Sequence, residues 1–200
     1  MDSQNKTNNQ PKTNNQNQQT KQSDKEVNQN KPRVKHWFRH DLDKKQLWIW
    51  GICTIGIALL TGGLAALLGG DMDHFEAHTL PPLTPPTIVF PIVWGILYVL
   101  IGVSAFIVFV SKTQTKQTLK WDMIWFGINL ALNAIWPLLF YRLDLLIVST
   151  ILCGLIFITA IITCFRFYYR NTVGGLLYTP YVLWLLFAFY LNLGITLLNV

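Results

Sequence analysis

The sequence carries little charge: 13% of its 200 residues are Asp, Glu, Lys or Arg, against 52% hydrophobic. That balance excludes an ordinary soluble domain, in which about a quarter of residues are charged. Cysteine is sparse too. Cys53, Cys153 and Cys164 all fall in long apolar runs, and an odd number so placed excludes a disulfide framework. They read as small buried apolar groups. Histidine is missing from those runs, since His36, His40, His74 and His78 lie outside them, which excludes a buried axial haem ligand of the usual type. No Walker loop, nucleotide-binding glycine motif, Ser/His/Asp set or HExxH occurs, so the common catalytic architectures are removed. Chains of intramembrane carboxylates are lacking as well, which argues against a proton-coupled pump. A polar N-terminus predicts no secretory signal peptide.

What the chain does have is five apolar runs near the length of about 20 residues that crosses a bilayer. They lie near residues 46–69, 87–111, 119–141, 144–166 and 175–199. In lipid every backbone N–H and C=O must be paired internally, so these runs predict helices. Strands are excluded because the runs are too long and do not alternate with period two. The expected fold class is all-α, an integral membrane bundle of five transmembrane helices over 46–200.

Loop charge predicts orientation. Lys44 and Lys45 precede the first run, Lys112, Lys116 and Lys120 fill the second connection, and Arg166 and Arg170 the fourth. The first connection carries Asp71, Asp73 and Glu76, and the third sets Arg142 against Asp144. The positive-inside rule then puts the N-terminus in the cytoplasm and the C-terminus outside a plasma membrane crossed several times. Residues 1–45 form a separate tail. Its Asn/Gln-rich first part buries too little apolar surface to offset ordering entropy, so disorder is expected. Residues 31–45 mix basic side chains with Trp37 and Phe38. They either grip anionic headgroups or, more simply, flank the membrane and set topology. The net charge of +6 is largely accounted for by that orientation, and no nucleic-acid partner is expected.

Polar and aromatic residues recur at helical spacing within the runs. The third has Trp121, Trp125, Asn129, Asn133, Trp136 and Phe140; the fifth has Tyr181, Trp184, Ala188, Asn192 and Asn199; the second has Phe90, Trp94 and Tyr98. An asparagine facing lipid leaves its amide unpaired at a cost of several kcal/mol, so these faces must turn into the bundle. There they act as interhelical glue and packing, or they line a cavity suited to a flat polycyclic ligand. Pro81, Pro82, Pro85 and Pro86 make a stiff entry to the second run, with a helix starting near Thr87, and favour the cavity by adding a rim. Ala58, Gly62 and Ala66 allow close helix approach or a dimer face. His74 and His78 stand beside the acidic first connection, but a short solvated loop is the simpler reading and no metal site is expected.

Three stretches carry a resemblance: PPLTPPTIVFPIVWGILYVLIGVSA at 81–105, LNAIWPLLF at 132–140 and PYVLWLLFAFYLNLGITLLN at 180–199. In order and spacing they resemble successive motifs of the TspO/MBR family, the tryptophan-rich sensory and translocator proteins, also called the peripheral benzodiazepine receptor. The resemblance implies a five-helix bundle in the lipid bilayer, commonly a homodimer, that binds porphyrins and related tetrapyrroles. It implies a pocket under the proline-rich first loop made by Pro85, Trp94, Tyr98, Asn133, Trp136, Cys153, Trp184 and Ala188. Asn129, Tyr181 and Asn192 join these as candidates from the stripes. Porphyrin is expected as ligand, with no cofactor required. Some bacterial members are linked to light- and oxygen-dependent porphyrin breakdown, which would make Trp94 and Trp184 catalytic; a tetrapyrrole or sterol-type transporter is a further alternative. The chain departs from the family pattern at Leu83 and Ile88, where the lid usually has aromatics, and at Asn129, where glutamine is common.

Overall fold

A computed structural model of the chain describes residues 43–70, 75, 77–111 and 116–200, all within the unit Trp37–Val200. The expectations for residues 1–42, for His74 and for the acidic residues Asp71, Asp73 and Glu76 lie outside the described residues. Among the described residues five helices are long and apolar enough to cross a membrane, so this is a multi-span membrane protein of all-α class.

Helix α1 spans Lys44–Gly69. Its start is set by a capping box: the Asp43 carboxylate accepts from the Lys44 N–H at 2.7 Å, and Gln46 reaches back to the Asp43 N–H at 3.3 Å. Gly70, at φ 68°, ends it. Helix α2 spans Val89–Val110, two residues later than the expected start, with Pro91 in the first turn where its missing N–H costs nothing. Helix α3 spans Lys116–Pro137 and runs into a π-turn, Leu138–Arg142. The span expected over 119–141 is present as Gln117–Arg142, and the change of helix type within it has a local reason. Pro137 cannot donate to the carbonyl four residues back, and the wider turn that follows brings the sequence neighbours Phe140 and Tyr141 both inside.

Helix α4 spans Leu146–Arg170 and α5 spans Thr172–Asn199. Asp144 adopts φ 50°, a left-handed conformation that cannot open a helix, so α4 begins after it. Only Asn171 separates α4 from α5, and its side chain caps the Val173 and Gly174 N–H groups. Asp122 lies fully buried within α3: its carboxylate accepts from Arg166 Nε at 2.7 Å and Arg170 Nε at 2.9 Å, locking α3 to α4.

α1 and α2 cross closely at one point. A Cβ on Gly102 would lie 2.7 Å from the Ile55 Cα, so the backbones touch there and a larger residue is excluded. Toward the first connection a Cβ on Gly62 would still lie 2.6 Å from the Tyr98 ring, whereas one on the exposed Gly63 or Gly95 would meet no heavy atom within 4 Å. The first connection is strapped to the far end of α5. The Asn199 side chain holds both the N–H and the C=O of Thr79, at 2.9 and 3.0 Å, and Tyr190 donates to the Pro82 carbonyl at 2.9 Å. His78 meets Asp144 at 3.2 Å.

Candidate functional site

Trp94 on α2 and Trp136 on α3 form a common wall for three neighbouring hollows. On one side lies a cavity of about 350 Å³ between α1, α2 and α3. Its aromatic lining is Phe90, Trp94, Tyr98, Trp136 and Tyr141, and Asn133 supplies the main side-chain amide. α1 closes it with small residues, Gly62, Gly63, Ala66 and Gly69 among them. On the other side are two small voids. One, of about 20 Å³, is bordered by Trp184, Ala188 and Asn192; the other, of about 10 Å³, by Cys153 and Ala188.

Behind the wall runs a hydrogen-bonded chain that fixes the aromatic geometry. Tyr98 donates to Asn133 Oδ1 at 2.8 Å, Asn133 Nδ2 donates to the Tyr181 hydroxyl at 2.8 Å, and Tyr181 donates to Asn129 Oδ1 at 2.7 Å. Asn129 also accepts from Tyr178 and donates to the Ile156 carbonyl and to Thr159. With both amide hydrogens and the carbonyl engaged, Asn129 has no capacity left for a ligand. The ring of Trp94 stacks on Tyr98 with centroids 5.6 Å apart and meets Tyr181 edge-on at 6.2 Å. Trp136 stacks on Phe140 at 4.9 Å. The indole N–H groups of Trp136 and Trp184 are buried and find no acceptor among the described residues, a rare condition for buried donors.

The expectation of one roofed hollow shared by all the candidates is therefore corrected. Trp94, Tyr98, Asn133 and Trp136 surround the large cavity, whereas Cys153, Trp184, Ala188 and Asn192 border only the small voids, because the two indoles stand between the groups. Pro85, Asn129 and Tyr181 line none of the three hollows. Asn192 is held by Thr150, whose hydroxyl lies 2.5 Å from its Oδ1. The proline segment lies against α5, with Pro81 packed on Gly194, and does not roof the large cavity.

Two groups of lining residues escaped the sequence reading. α1 supplies Leu59, Gly62, Gly63 and Ala66; the four-residue spacing of Ala58, Gly62 and Ala66 was visible, but glycine gives no side-chain sign of what it faces. Phe75 of the first connection is buried among Phe90, Phe140 and Tyr141, with ring centroids 5.5, 6.3 and 6.1 Å away, and borders the 20 Å³ void. It sits where an aromatic lid residue could have been sought once Leu83 and Ile88, both exposed, are seen to lack that chemistry.

Comparison with known proteins adds family information. The TspO/MBR family pattern matches residues 51–198. Protein CrtK of Rhodobacter capsulatus is 29% identical over 143 residues, covering 72% of this chain and 89% of its own. The tryptophan-rich protein TspO of Chlorobaculum tepidum is 29% identical over 157 residues, covering 78% and 98%. That of Archaeoglobus fulgidus is 35% identical over 127 residues, covering 60% and 75%.

Proposed function

The chain belongs to the TspO/MBR family, and from that premise we propose that it binds a porphyrin or related tetrapyrrole between α1, α2 and α3, in a sensory, protective or porphyrin-handling role. The observation that carries this reading is the cavity of about 350 Å³ walled by five aromatic rings. Planar π-systems gain from offset and edge-on contact with such rings, and the volume stands near the lower end of the roughly 300–1,000 Å³ usual for ligand pockets. The macrocycle enters edge-first, its remainder lying in the open seam between α1 and α2. Asn133 and the indole N–H of Trp136, which has no acceptor among the described residues, are the polar groups nearest to hand for its substituents. Porphyrin is the ligand here, and no further cofactor enters. Loop charge supports a cytoplasmic N-terminus and an outer C-terminus in the plasma membrane, and the family resemblance supports a homodimer.

Porphyrin titration of the protein in vesicles should quench tryptophan fluorescence. Trp94 borders all three hollows and Trp184 only the 20 Å³ void. Trp94→Phe should therefore raise Kd roughly 2- to 10-fold, the worth of one aromatic contact, and Trp184→Phe by less. Absence of quenching at micromolar porphyrin, or equal effects of the two substitutions, would count against this placement.

A further inference from the structure

The lining of the large cavity is not evenly enclosed. The residues contributed by α3 and the deep face of α2 are buried or half-buried: Asn133 and Tyr98 are 3% and 4% exposed. The residues along the α1–α2 edge are exposed, namely Leu59, Gly63 and Ala66 on α1, Gly70 just past its end, and Pro91 and Gly95 on α2. None of residues 77–88 borders the cavity. Among the described residues, the exposed part of the lining thus lies on the α1–α2 flank of the bundle. On the same surface stand Leu60, Leu64 and Leu67 of α1 and Ile92 and Ile96 of α2, between 48% and 78% exposed. In a membrane-crossing pair of helices, leucine and isoleucine at such exposure face hydrocarbon.

From these observations, and resting on the porphyrin reading above, we infer that the α1–α2 seam is a lateral portal through which a flat, lipophilic ligand passes between the bilayer and the cavity. The geometry explains how the seam stays open. The helices touch where Gly102 meets Ile55 and where Gly62 meets the Tyr98 ring, while Gly63 and Gly95 at the mouth leave space that a side chain would fill. A ligand using this route is concentrated by partition into lipid before it meets the protein, and it never has to displace the first connection. The polar strap through Thr79, Pro82 and Asn199 therefore stays closed during exchange.

The test narrows the mouth. Gly63→Leu and Gly95→Leu put apolar bulk into positions where a new Cβ meets nothing within 4 Å, so the helices need not shift. Protein in vesicles is mixed with vesicles preloaded with protoporphyrin, and tryptophan quenching is followed in time; release is followed by mixing loaded protein with excess empty vesicles. Both rates should fall by roughly tenfold, since an obstructed passage slows entry and exit alike. Gly63→Ala and Gly95→Ala should produce smaller slowing in the same direction. Wild-type rates in all four variants, or release that quickens as it would after loss of a binding contact, would overturn the portal while leaving porphyrin binding intact. If the wild-type protein is not quenched at all, the porphyrin reading falls instead, and the portal with it.

Discussion

Asn129 and Asn133 occupy equivalent places on α3, one turn apart, yet they do different work. Asn129 is fully buried and ties α3 to α4 and α5 through Ile156, Thr159, Tyr178 and Tyr181. Asn133 joins the same chain but also borders the large cavity. Replacing Asn129 with Ala takes the acceptor from two tyrosine hydroxyls and removes four interhelical bonds. At the roughly 0.6 kcal/mol typical of such bonds in membrane proteins, stability should fall by about 2 kcal/mol, readable as a lower midpoint in denaturant titration of the detergent-solubilised protein. An unchanged midpoint would mean that water replaces the lost amide. Helical spacing made both asparagines legible as bundle-facing, because no amide is left in lipid. It could not separate tie from lining, since that depends on which hydroxyls of other helices come within reach. The same limit hid the division of the hollow: Trp94 and Trp136 were legible as site residues, but their standing between two groups of candidates follows from packing alone.

At the scale of the helix, length and apolarity were enough to read all five spans, and the departures sit where local backbone chemistry intervenes. Pro137 opens the π-turn, Asp144 delays α4, and Asn171 lets α5 begin at once after α4. The role of α1 was the least legible. Its contribution to the site is made largely of glycine and alanine, which signal only that something comes close. What comes close differs along the seam: a backbone at Gly102, open space at Gly63 and Gly95. Gly102→Val should force α1 from α2 and cost about 1–3 kcal/mol. Gly63→Val, with no neighbour to meet, should change stability by no more than about 0.5 kcal/mol. Parallel thermal melts of the two variants provide the comparison, and equal losses would refute the picture of a tight crossing at Gly102 and open space at Gly63.

For the molecule as a whole, the strap across 120 positions of sequence joins the first connection to the last turn of α5. Tyr190→Phe combined with Asn199→Ala removes three of its side-chain hydrogen bonds. Amide exchange at Thr79, Leu80, Leu83 and Thr84 should then quicken by roughly tenfold or more, with amides in the middle of α4 unaffected. Unaltered exchange at those four positions would show that Pro81 against Gly194 and His78 against Asp144 suffice. This long-range closure also orders events during synthesis. A nascent chain whose ribosome has produced only α1 to α4 can seat Phe75 and His78 but has no Tyr190, Gly194 or Asn199, so the segment from Thr79 to Pro82 has nothing to fasten to. Closure of that segment must wait until the final helix leaves the translocon.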